Sequence, residues 1–110
     1  FSVALSYDPT SDGAPVLVAK GIDHLAFRIR DEAKKHGVQI FEAPPLARSL
    51  YFTTDLEQTV PESLYVPVAQ VIAYVFSLAS VKPGVAPMAR PHPAVPPEMR
   101  FDTDGRREAA

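Results

Sequence analysis

Glu42-Ala43-Pro44-Pro45-Leu46-Ala47-Arg48-Ser49-Leu50-Tyr51 is the stretch that decides the fold. A short apolar segment, Val38 to Phe41, runs into two prolines, and a helical pattern starts at once. Proline fits the first helical turn, where its missing N–H would have no partner anyway, and it biases the preceding residue towards extended structure. Leu46 and Leu50, and Ala47 and Tyr51, then recur at four-residue spacing. The stretch therefore predicts a rigid corner, with a strand over Val38–Glu42 passing into a short helix from Pro45 to about Phe52.

Upstream of this corner, Phe1, Val3, Leu5 and Tyr7 alternate with Ser2, Ala4 and Ser6, the period of a half-buried strand. Asp8 to Gly13 is a dense turn signal, and Val16 to Ala19 is the continuous apolar run of a covered strand. After Gly21, the residues Ile22, Leu25, Ala26, Ile29 and Ala33 fall on one helical face. Asp23 in the first turn and Lys34, Lys35 and His36 in the last complement the helix dipole, and Gly37 is placed to close the helix. Downstream, a last helix should begin at Pro61, with Leu64, Val68, Val71, Ile72, Val75 and Leu78 or Ala79 on its buried face. Pro67 falls inside it, where a proline costs about 3 kcal/mol, and predicts a kink or restart. The order β-β-α-β-α-α makes the domain α+β with an α/β-like flavour, a small mixed sheet surrounded by helices and a right-handed crossover between parallel strands.

The chain has 110 residues, 46% of them apolar, with 11 basic and 13 acidic side chains and a net charge of −2. One small domain fits this length. Twelve prolines are about twice the usual share, and six of them lie between Pro83 and Pro97. Residues 1–80 therefore form the expected domain, and 81–110 a Pro-rich tail expected to stay disordered, with extended pieces such as Ala86-Pro87 and Pro96-Pro97. A unit of about 80 residues is marginally stable, and a partner is expected to complete it. The interspersed charge does not favour nucleic acid. Absent cysteine removes disulfide and thiol chemistry. No run approaches the ~18 apolar residues of a membrane span, and no signal peptide is visible.

Several motifs together resemble one family. The run from Glu42 through Pro44, Pro45, Leu46, Ala47 and Arg48 to Leu50 and Tyr51 is similar to a segment of the type III export switch family. That family comprises FlhB of the bacterial flagellum and its injectisome relatives. Ser2-Val3-Ala4-Leu5 and on to Asp8 resembles its strand after the self-cleavage loop, Ala14 to Lys20-Gly21 its next strand and turn, His24 to Arg30 the following helix, and Ile72 to Phe76 the core of its last helix.

The resemblance implies a domain completed by a strand from an upstream half, which also carries the membrane portion. It implies a parent that cuts itself between Asn and Pro of an Asn-Pro-Thr-His loop through a succinimide. Those four residues are absent, Phe1 matching the aromatic that follows them, so this chain is expected to perform no turnover. The implied role is at the cytoplasmic face of the bacterial inner membrane, in flagellar protein export. There the domain changes substrate specificity, meeting export-gate components, export substrates and the hook-length control protein. An injectisome paralogue is the neighbouring alternative, and a long tail favours the flagellar one.

Candidate sites divide accordingly. His24, His36 and His92 lack metal-ligand spacing, and no nucleophile motif occurs, so neither cofactor nor metal is expected. Lys20-Gly21 at a strand-to-helix turn is the one hint of a phosphate site, and with it of a small ligand-binding enzyme. A tight turn with an exposed lysine explains the pair more simply. Arg28, Arg30, Lys34 and Lys35 give the first helix a basic outer face, read as solvated and diluted by Asp31 and Glu32. Ala14 and Pro15 beside the turn, with Ala69 and Ile72 one turn apart on the last helix, are the candidate apolar docking surface. The resemblance assigns matching positions to early-substrate docking; ordinary helix–sheet packing is the other account of them.

Overall fold

A computed structural model describes residues 1–11, 13–79, 83–86 and 88–108. Asp12, Pro87 and the division expected at 80/81 lie outside the described residues. The domain is α+β. Strand β1 (Ser2–Ser6) pairs antiparallel with β2 (Val16–Gly21), aligning Ser2 with Gly21 and Ala4 with Ala19. A bulge at Ala4/Leu5 shifts the register so that Leu5 meets Leu17. Side chains alternate across a sheet, which gives this one two different faces.

One face is made of small residues, Ser2 and Gly21 beside Ala4 and Ala19, and helix α1 (Asp23–Lys35) lies on it. Ser2 donates a hydrogen bond to the Ala26 carbonyl at 3.0 Å. A Cβ at Gly21 would stand 2.5 Å from Leu25 Cγ, so the close approach needs glycine there. Gly37, at φ +69°, ends α1 in the left-handed conformation, and the Val38 N–H returns to the Ala33 carbonyl. The expected apolar face of α1 is only partly covered. Ala26 is buried and Ile29 and Ala33 half-buried, but Ile22 and Leu25 are 42% and 50% exposed. Two strands make too narrow a sheet to cover a 13-residue helix.

The other face carries the core. Leu17 clusters with Leu46 and Leu50 of α2 (Pro44–Thr53), with Val60 and Leu64 of the segment that follows, and with Val68 of α3 (Tyr65–Ala79), and Val3 and Leu5 pack against them. Residues 57–60 run along the outer edge of β2. Leu17 N–H bonds the Gln58 carbonyl, and Val60 N–H the Pro15 carbonyl. Pro67 causes a restart, as predicted: a 3₁₀ turn, Glu62–Leu64, precedes α3, and Pro67 sits buried in the first turn of that helix. Glu62–Ala79 has the length and composition of a membrane span, contrary to the sequence expectation, yet Leu64 and Val68 within it belong to this core and Pro67 is buried.

The expected third strand requires correction. Residues 38–43 precede α2 without strand pairing, and among the described residues the sheet has two strands. The antiparallel pair therefore replaces the predicted mixed sheet and parallel crossover, because an apolar run forms a strand only beside a free ladder of partners. Held instead by side chains, the segment places Phe41 edge-on to Tyr74, with ring centroids 5.6 Å apart, and Glu42 3.4 Å from Arg30.

The tail also departs from expectation. Residues 88–108 return to α2 instead of extending into solvent. Val95 is buried in the core, and Met99 packs against it. Arg90 stacks over Phe41 at 4.2 Å and donates to the Glu42 carbonyl. Phe101 and Arg107 bridge a hairpin whose Asp102 carboxylate accepts the N–H groups of Asp104 and Arg106. Proline runs lack internal hydrogen bonds, but they do not prevent a valine between them from reaching a core. Val95→Ala should cost about 1–3 kcal/mol in urea unfolding. A change within about 0.5 kcal/mol would show the tail to be detached in solution.

Ser49 is fully buried in α2, and its Oγ has no hydrogen-bond partner among the described residues. Ser49→Ala removes an orphaned hydroxyl and improves helix propensity. A gain of about 1–2 kcal/mol by denaturant unfolding is expected.

Candidate functional site: an apolar groove between a turn and the last helix

The turn after β1 is built by its own polar side chains. Asp8 Oδ1 accepts the Thr10 hydroxyl at 2.7 Å and the Thr10 N–H at 2.9 Å, and Ser11 Oγ accepts the Gly13 N–H. The Thr10 hydroxyl first, then its N–H, holds the Asp8 carboxyl below the ordinary value. These contacts fix the loop as it descends into Ala14 and Pro15. At the far end of those residues, Val60 N–H secures the Pro15 carbonyl.

Opposite lies α3, whose start is set by the buried Pro67. Its outward face is apolar: Tyr65, Val66 and Phe76 are exposed, as are Ala69 and Ala73. Between the turn and α3 runs a groove of about 530 Å³ lined by Ala14, Pro15, Ala69 and Ile72, with Val68 among the lining residues. All four residues singled out in the sequence thus meet in one place. Among the described residues, none that lines the groove is charged. Tyr7 and Phe76, their rings 6.2 Å apart, are also among the lining residues, together with Tyr65. These aromatics were missed because Tyr7 reads as a strand position, and Tyr65 and Phe76 fall outside the helical stripe. A small-residue floor with aromatic sides suits one or two apolar side chains of an incoming peptide.

The other motif residues are structural. Lys20 is not a free cation at a turn. Its ammonium donates to the Tyr51 and Thr54 carbonyls, both at 2.9 Å, and lies 5.0 Å from the Tyr51 ring centroid. It thereby closes the C-terminus of α2, where unpaired carbonyls and the dipole favour a cation. The phosphate-site alternative relied on that ammonium being available. Lys20→Met should lower stability by about 1–3 kcal/mol in urea unfolding, because two acceptors lose a charged donor; an unchanged midpoint would contradict the clamp.

Pro44 and Pro45 occupy the first positions of α2, Leu46 and Leu50 enter the core, and Ala47 is half-buried. Tyr51 meets Phe1 edge-on at 5.2 Å. Arg48 Nε donates to the Phe101 carbonyl in the tail at 3.0 Å. On the basic face of α1, Lys35 and His36 lie 3.5 and 3.4 Å from Glu32.

Comparison with known proteins agrees with this geometry. Residues 1–75 match the model of the FlhB HrpN YscU SpaS family. The chain is 46% identical over 76 residues to the flagellar biosynthetic protein FlhB of Bacillus subtilis, covering 69% of this chain and 21% of that protein. It is 46% identical over 88 residues to the hypersensitivity response secretion protein HrcU of Ralstonia nicotianae, covering 79% and 24%. The chain thus spans about a quarter or less of these relatives. The crystal structure of the cytoplasmic domain of FlhB from Shewanella putrefaciens superposes with a TM-score of 0.76 at 41% identity, over 90% of this chain and 79% of that one. With its motifs, its α+β fold and these likenesses in agreement, the chain belongs to the FlhB HrpN YscU SpaS family of export proteins.

Proposed function

We propose that this domain is the substrate-docking and specificity-switching part of a flagellar type III export apparatus. The observation that carries the reading is the uncharged groove joining Ala14 and Pro15 to Ala69 and Ile72. A concave apolar groove flanked by aromatic rings offers a seat for the side chains of an extended or helical peptide. In this reading the domain works at the cytoplasmic face of the inner membrane and reaches the bilayer only through an upstream portion. An upstream half of the same protein supplies a further strand, export-gate components surround it, and the hook-length control protein changes what the groove accepts. Self-cleavage at an upstream Asn-Pro bond belongs to the parent; this chain has no catalytic turnover, no cofactor and no nucleic-acid partner. The likeness to FlhB over 90% of the chain, tail included, favours the flagellar over the injectisome setting.

The test is a titration of the isotopically labelled chain with a purified rod or hook subunit and, separately, with a filament subunit. Rod or hook subunits should shift the signals of Ala14, Ala69 and Ile72 saturably, while the filament subunit leaves them in place. Absence of any subunit binding at the groove would remove the docking role.

A further inference from the structure

We propose that the cleft between α2 and the returning tail is a second docking site, one that takes a peptide carboxylate from a protein partner. The cleft holds about 320 Å³ and shares no lining residue with the groove. Arg48 from α2 and Arg100 from the tail both line it. Each guanidinium is anchored through Nε alone, Arg48 on the Phe101 carbonyl at 3.0 Å and Arg100 on the Val95 carbonyl at 2.8 Å. Among the described residues, the terminal nitrogens of both forks have no hydrogen-bond partner. Among the described residues neither guanidinium has an ion-pair partner, although the chain as a whole is acidic. Glu108 reaches the same cleft, but its recorded link to Arg100 is through its main-chain N–H and the Arg100 carbonyl.

Two guanidinium groups lining one cleft, each fixed through its Nε, favour a planar carboxylate, which accepts paired N–H bonds. The remaining lining residues choose between a bare anion and a peptide. Pro45, Pro93, Val95 and Phe101 offer apolar contact and no side-chain donor, and the prolines have no N–H to give. A multiply charged phosphate would find two cations, the Glu108 carboxylate and otherwise apolar wall. An aspartate or glutamate flanked by apolar residues matches both parts. The site needs the tail, because Pro93, Ala94, Val95, Arg100, Phe101 and Glu108 of its lining come from there and only Pro45 and Arg48 from α2.

The experiment is a heteronuclear NMR titration of the 110-residue chain with an acetylated, amidated Leu-Pro-Glu-Pro-Leu peptide, its glutamine counterpart, and inorganic phosphate. The glutamate peptide should shift the Arg48 Nε–H and the Phe101 amide saturably, and bind at least ~10-fold more tightly than the glutamine form. Arg100→Lys and Arg48→Lys should each weaken it by about 10-fold, because lysine offers no fork. Glu108→Gln, which leaves every recorded contact of the fold in place, should tighten binding about twofold by removing a competing charge. Equal binding of the two peptides, or no shift at the cleft, would overturn the proposal. Saturation by phosphate with no response to the glutamate peptide would overturn it too, leaving a small-anion site in place of a docking site.

Discussion

Ala69→Glu is expected to weaken the binding of rod or hook subunits by about 100-fold, or some 2.7 kcal/mol, while leaving the domain folded. Ala69 is exposed on α3 and lines the groove, so the substitution reaches the proposed docking surface without entering the core. A carboxylate there would have to be desolvated against a bound apolar side chain, and among the described residues no lining residue is charged to receive it. The neighbouring Gln70→Glu is the control: it is exposed, adds the same charge and does not line the groove. Both variants should unfold within about 0.5 kcal/mol of the parent. In cells, Ala69→Glu should stop flagellar assembly at the rod–hook stage, whereas Gln70→Glu should remain motile. Equal affinity for the Ala69→Glu and parent chains would show that the groove is not where subunits dock.

Leu64→Ala should cost about 2–5 kcal/mol in urea unfolding. Leu64 has no exposed surface and joins the 3₁₀ turn before α3 to Leu17 and the α2 leucines. A domain this small has a total stability of only about 5 kcal/mol, so the loss should leave much of the chain unfolded at 37 °C. Its near neighbour Val66 is 69% exposed, and Val66→Ala should change stability by no more than about 0.5 kcal/mol. The contrast separates burial from helix propensity, since both substitutions introduce the best helix former. A loss below about 1 kcal/mol at Leu64 would mean that the core lies elsewhere.

What could be read in the sequence was local and periodic. Alternation from Phe1 to Tyr7 marks a strand, Pro44-Pro45 a helix start, Gly37 a helix end, and Pro67 a break, and each is found within a residue or two of its expected place. What could not be read depended on distant partners. Val38–Glu42 has the composition of a strand, but composition does not say whether a ladder stands beside it. Val95 is one valine among prolines, a pattern with no period, and only the return of the chain to α2 reveals it as core. The groove was half visible. Ala14, Pro15, Ala69 and Ile72 came from family likeness, whereas Tyr7, Tyr65 and Phe76 had ordinary explanations as strand and helix positions. Lys20 shows the reverse case: a residue at a turn, suggestive of an anion site, whose chemistry is directed at the end of a helix 31–34 residues away.

The bond from Arg48 to the Phe101 carbonyl links residues 53 apart, and that separation has a consequence in time. A ribosome adds about 5–20 residues per second and domains fold as units while they emerge. The sheet, α1, α2 and α3 are all complete by Ala79, whereas Val95 and Phe101 are made about one to four seconds later. Every molecule therefore passes through an early life in which the α2 surface around Arg48 and Phe52 is bare. A chaperone or assembly partner that recognises that surface has a brief window in which to bind before the protein covers it with its own tail.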